Sequence, residues 1–146
     1  MILNPLQTII IIFLMIFSFV FPHYSTPIFC HNFALYSGDD KLNAKLYKLG
    51  AKGCISVTSN VAPSLVNRLY TNHKNAIIDK KLTRNVSLLN DALFSSINPI
   101  PTKKALSILG LDSGELRPPL TELEEKFLKK LIYALYKNRL IGDDFL

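Results

Sequence analysis

At 146 residues, with 49% hydrophobic and 19% charged side chains, the chain is long enough for one modest domain with its own core. Its net charge of +6 would suit an acidic partner, but the lysines are scattered over helical faces without interleaved aromatics, which argues against a nucleic-acid binder. Cys30 and Cys54 have neither CxxC nor His-rich spacing, so no metal centre and no disulfide framework follow.

All 17 Lys and Arg and all 11 Asp and Glu fall from Asp39 onward. Ahead of that boundary, Ile9 to Phe21 is apolar except for Ser18. This run is shorter than the roughly 20 residues of a membrane-spanning helix and nearer the roughly 7–15 of a signal-peptide core. No Lys or Arg precedes it, and Pro22 to Pro27 has no clean small-x-small cleavage site. Three readings of an apolar leader over residues 1–28 stand: a signal or membrane anchor, a mistranslated or frameshifted leader joined to a gene remnant, and a buried strand.

Phe33-Ala34-Leu35-Tyr36 reads as a strand ending in the turn Ser37-Gly38-Asp39-Asp40, whose side-chain oxygens suit a helix cap. Leu42, Lys45, Leu46 and Leu49 then recur at helical spacing, and Gly50 occupies the expected C-cap glycine position. Cys54 to Val57 carries a single polar residue, Ser56. That pattern predicts a strand covered on both faces, as in a parallel sheet. The stretch is one strand, helix, strand unit.

Pro63 opens the next helix, with Leu65, Val66, Leu69 and Tyr70 as its apolar stripe; His73, in the polar connection after it, reads as solvated surface. Leu82, Val86, Leu89, Leu93, Phe94 and Ile97 step by three and four, predicting a long amphipathic helix over 79–97. Pro99 and Pro101 stop it and predict an extended connection before a helix over 102–109 that closes at Gly110. Leu116-Arg117-Pro118-Pro119-Leu120 reads as an extended linker. Thr121 and Glu124 form a capping box for the last helix, whose stripe is Leu123, Phe127, Leu128, Leu131, Ile132 and Leu135.

Few of these residues demand chemistry of their own. Asp39 and Asp40 suit the cap and dipole of the following helix better than a metal or acid/base pair. Cys54 suits a buried strand position, because a nucleophilic thiol needs a cationic, accessible setting. Lys103 and Lys104 read as a solvated helix start, and Arg117 as a structural hydrogen-bonding residue.

Four stretches, taken together and in this order, resemble the C-terminal half of dihydrodipicolinate synthase, also called 4-hydroxy-tetrahydrodipicolinate synthase. They are Ser37-Gly38-Asp39-Asp40, Gly53 through Pro63, Asn98-Pro99-Ile100-Pro101-Thr102-Lys103 and Leu116 through Leu120. The first two would also admit other pyruvate-dependent aldolases, such as N-acetylneuraminate lyase; the two proline-rich ones favour the synthase. The resemblance runs from about Phe29 to the C-terminus.

The resemblance implies an α/β fold: the last two βα units of a TIM (β/α)8 barrel over 29–75, followed by a C-terminal helical extension over 76–146. A complete barrel takes roughly 250 residues, so an incomplete one is expected. It also implies condensation of pyruvate with aspartate semialdehyde through a lysine Schiff base, in the cytoplasm, without a metal or other cofactor. Such a lysine belongs at the C-terminal end of a barrel strand, partly desolvated.

None of the thirteen lysines ends a strand-like run, and Lys52 precedes its strand. In family order the Schiff-base lysine, the relay tyrosine, the threonine pair and the carboxylate-binding arginine all come earlier, so no catalytic residue is assigned. Gly38 and Ile55 match family positions that line the pyruvate pocket. Read from the residues alone, each is ordinary: a turn glycine and a core isoleucine.

The expected protein is therefore a truncated synthase, inactive alone. The alternatives are one piece of a split enzyme completed by an N-terminal half, and a small membrane-anchored interaction protein. Homo-oligomerisation is the other partnership the family implies.

Overall fold

The computed structural model describes residues 34–145. The readings of the apolar leader, and any strand residue before Ala34, lie outside the described residues. The chain runs β1 (Tyr36–Ser37), α1 (Asn43–Lys48), β2 (Gly53–Cys54), α2 (Thr58–Val61), α3 (Pro63–Lys74), α4 (Lys80–Leu93), α5 (Ile100–Ile108) and α6 (Glu125–Lys137), then a 3-10 turn at Asp143–Phe145. The two strands pair in parallel, Tyr36 opposite Gly53 and Ser37 opposite Cys54.

Both strands are shorter than the patterning predicts. β2 stops at Cys54, Val57 lies in the turn before α2, and Ile55 is 77% exposed. A strand buried on both faces in a parallel sheet needs a neighbour on each side and helices over each face, whereas each described strand has one strand neighbour. Gly50 does take the left-handed conformation that ends α1, with φ +95°. At Gly53 a side chain would crowd the Tyr36 ring lying across from it.

The helices follow the apolar periodicity. Proline stands in the first turn of α3, where its missing N–H has no intrahelical acceptor in any case. α4 starts one residue later than expected because Asp79 is its N-cap, accepting from the Leu82 N–H at 2.8 Å. It ends at Leu93, leaving Phe94 and Ile97 beyond it and exposed. α5 begins at Ile100, two residues early. Pro101 starts a helix here instead of forcing an extended connection, since a first-turn proline costs no hydrogen bond. The capping box ahead of α6 does not form: Glu124 is the N-cap and makes no side-chain cap bond.

The larger core joins α2 through α6, with Leu89, Leu93, Leu131 and Leu135 fully buried. At about 1.5–3 kcal/mol for each buried leucine, this layer holds the helical part together. A smaller core under the sheet gathers Leu35, Tyr47, Leu69, Leu82 and Val86. α4 contributes to both and spans them: Leu82 and Val86 face the sheet side, Leu89 and Leu93 the helical side.

Candidate functional site

Parallel pairing puts the C-terminal ends of β1 and β2 on one edge of the sheet. There the Ile55 N–H donates to the Ser37 carbonyl at 2.7 Å, which brings the chain at Gly38 beside the chain at Ile55. Gly38 and Ile55 are both exposed, Ser37 beneath them fully buried. The Ser37 hydroxyl donates to the Asp39 carbonyl at 3.0 Å and accepts from the Asp39 N–H at 3.4 Å, fixing the turn that carries Gly38.

Asp40 locks this edge, in a way its sequence context does not suggest. Asp39 accepts from the Lys41 N–H at 2.8 Å, but α1 has no side-chain cap. The Asp40 carboxylate instead crosses to the other strand and accepts from the Val57 and Thr58 N–H groups at 2.9 and 3.0 Å, at the start of α2. Asn43 Nδ2 donates to its other oxygen at 3.0 Å. Asn90 of α4 closes the knot, with Nδ2 donating to the Asp40 carbonyl at 2.9 Å and Oδ1 accepting from the Thr58 hydroxyl at 2.8 Å. Asp40, Asn43, Thr58 and Asn90 are all buried, where each such bond spares a desolvation cost of about 1–3 kcal/mol. Thr58 and Asn90 hold this edge in place, and neither stands out in the sequence analysis. The signal was an asparagine inside the apolar stripe of α4, between Leu89 and Leu93.

The remaining candidates lie apart from this edge or are inert. Among the described residues no lysine ends a strand: Lys52 precedes β2, and Lys41, in the loop after β1, is half exposed and paired with Asp91 at 2.9 Å. Lys103 pairs with Asp112 at 3.0 Å. The Arg117 guanidinium is exposed, and it is the Arg117 carbonyl that accepts a hydrogen bond, from the Leu120 N–H at 3.0 Å.

Cys54 is a free, partly buried thiol beside the Tyr47 hydroxyl. Burial first, then that thiol, pushes the Tyr47 phenol far above its ordinary pKa. His73 is half-buried and not freely solvated, its ring 5.8 Å from that of Tyr47. Desolvation, then the Lys48 charge, lowers its pKa from 6.5. No His, Cys, Asp and Glu cluster among the described residues is arranged to hold a metal ion, and no helix among them is long and apolar enough to cross a membrane.

The profile of the Dihydrodipicolinate synthetase family matches residues 26–138. This chain belongs to that family. The 4-hydroxy-tetrahydrodipicolinate synthase of Archaeoglobus fulgidus is 41% identical over 113 residues, 76% of this chain and 39% of that protein. Among solved structures, the dihydrodipicolinate synthase of Thermotoga maritima superposes with a TM-score of 0.70 at 36% identity, over 75% of this chain and 38% of that one. The chloride-inhibited enzyme of Acinetobacter baumannii, solved in complex with pyruvate, gives 0.66 at 38% identity, over 74% and 38%. The chain thus spans 38–39% of the length of these dihydrodipicolinate synthases. Its helical body with a small parallel sheet is what a portion of their barrel would be.

Proposed function

We propose that residues 34–145 supply one wall of the pyruvate pocket of a dihydrodipicolinate synthase, a lyase that condenses pyruvate with aspartate semialdehyde in diaminopimelate and lysine biosynthesis. Gly38 and Ile55 are the wall's contact positions. The observation that carries this reading is their juxtaposition at one sheet edge, drawn together by the 2.7 Å Ile55 to Ser37 bond and backed by Asp40. A glycine keeps the wall free of side-chain bulk where the chain meets a ligand, and Ile55 offers an apolar face to the pyruvate methyl group. Asp40, Thr58 and Asn90 position the wall without touching substrate.

The nucleophile comes from outside residues 34–145. The described lysines stand on helices, in polar turns or before a strand, so these residues alone form no Schiff base. Over this stretch, residues 34–75 are the last two βα units and 76–145 the helical extension.

Borohydride trapping with pyruvate, followed by intact mass and peptide mapping, tests this assignment on the purified chain. No adduct on Lys41 through Lys137 is expected; an adduct on any of them overturns it. The second reading, a split synthase, draws support from the 77% exposure of Ile55 and from a sheet that has only two strands among the described residues. Co-expression with a chain carrying the N-terminal strands should then place the adduct on that partner, and restore turnover of pyruvate with aspartate semialdehyde.

A further inference from the structure

At the end of α4 away from Asn90, cations that are dispersed over more than seventy positions of sequence come together. A cleft of about 1140 Å³ lies between α3, the first half of α4, the last turns of α6 and the segment after it. Among the described residues, Arg68, Lys80, Lys81, Arg84, Lys137 and Arg139 line it, against two carboxylates, Asp79 and Asp143. Arg68 is paired with Asp79 at 3.1 Å. Among the described residues, the other five cations have no carboxylate within 4.0 Å. Like charges left together and unneutralised repel one another, and a bound anion relieves that cost.

The cleft is built rather than incidental. Asn85 and Asn138 clasp its floor: Asn85 Nδ2 donates to the Lys137 carbonyl at 3.1 Å, and Asn138 Nδ2 to the Asn85 carbonyl at 2.9 Å. Arg139 follows the C-cap of α6 with φ +58°, the left-handed position that favours glycine. An arginine there retains a strain of roughly 1 kcal/mol or more that glycine would remove. The Lys137 ammonium sits 5.2 Å from the Tyr133 ring centre and 5.8 Å from that of Tyr136, so the cleft also offers aromatic and apolar surface beside its charge.

We propose that this cleft binds a compact organic polyphosphate of nucleotide size. Several free cations within one cavity fit a multivalent anion, and the Tyr133 and Tyr136 wall fits a ring attached to it. Asp79 and Asp143 in the same lining oppose a long continuous polyanion, which favours a small ligand over a nucleic acid or an acidic peptide. The proposal is independent of the pyruvate pocket.

Calorimetric titration of the full chain with ATP, inorganic triphosphate and adenosine tests it. ATP should saturate with a Kd below about 1 mM and triphosphate should bind more weakly, with adenosine giving no signal. The Arg84→Gln/Arg139→Gln pair should weaken ATP at least about tenfold. Lys45→Gln/Lys52→Gln, the same change of charge elsewhere, should alter it less than about twofold. Absence of saturation, equal weakening by both pairs, or tighter binding of a single-stranded oligonucleotide would each overturn the proposal. Should the arginine variant not fold, periodate-oxidised ATP with borohydride decides on the unmutated chain. Labelling of Lys80, Lys81 or Lys137 supports the cleft, and labelling confined to other lysines refutes it.

Discussion

The helical part and the strand ends of this chain solve the burial problem to different degrees. In the helical part Leu89, Leu93, Leu131 and Leu135 have no exposed surface and belong to one core. At the strand ends Ile55 is 77% exposed, Tyr36 46%, and among the described residues each strand has a single strand neighbour. The difference teaches where each region gets its stability. Helices satisfy their backbone internally and need only a partner stripe, whereas a parallel strand needs neighbours on both edges. The strand ends are held in place by one buried polar knot anchored on the helical side.

The sharpest contrast should come from side-chain truncation. Leu131→Ala or Leu135→Ala should cost about 2–5 kcal/mol in denaturant unfolding, while Ile55→Ala in the same chain should cost about 0.5 kcal/mol or less. A large loss at Ile55 would break the comparison, since it would mean that the strand ends already pack as a core.

Cutting the knot tests the anchor itself. Asp40→Ala leaves the Val57 and Thr58 N–H groups and Asn43 Nδ2 without their acceptor, and should destabilise by about 1–3 kcal/mol. Hydrogen exchange should rise at residues 55–61 and remain slow in α6. A uniform rise across both regions would show that Asp40 is not a local device.

A finer test is the coupling across the knot. Thr58→Val and Asn90→Ala remove opposite ends of one 2.8 Å bond, so their double-mutant cycle should show non-additivity of about 0.5–1.5 kcal/mol. Additive costs would mean that the two residues act separately.

The smallest effect concerns pH. With its folded pKa below 6.5, His73 binds fewer protons folded than unfolded. Stability should therefore be fully present above about pH 6.5 and decline as pH falls through the folded value. His73→Gln should flatten that slope in the sheet-side unit without altering the pH response of α5 and α6, followed by amide exchange between pH 5 and 7.

Periodic apolar residues carry most of the helical part: α3, α6 and α4 as far as Leu93 lie where their stripes predict, because helix amphipathicity is a local property. Caps were less legible. Thr121 and Glu124 match a capping box yet make no such bonds, and Pro101 starts a helix where its spacing predicts an extended connection. Gly38 and Ile55 are singled out by family resemblance alone, since neither a turn glycine nor a core isoleucine points to a ligand by itself. In sequence Asp40 resembles the cap of its own helix, because its partners at Val57 and Thr58 lie 17 and 18 residues away. The basic cleft was invisible for the same reason: Arg68, Lys81 and Arg139 become neighbours only when α3, α4 and α6 pack.

The bond from Asn90 to the Asp40 carbonyl bridges a separation of 50 residues. A ribosome emits Asp40 well before Asn90 exists, so the rim that carries Gly38 leaves the exit tunnel early yet waits for α4 to be set. Closing so long a span costs entropy that grows only slowly with its length, but that cost is met only after the helix is in place. The rim is therefore made before α4, yet its last bond forms only once α4 is set.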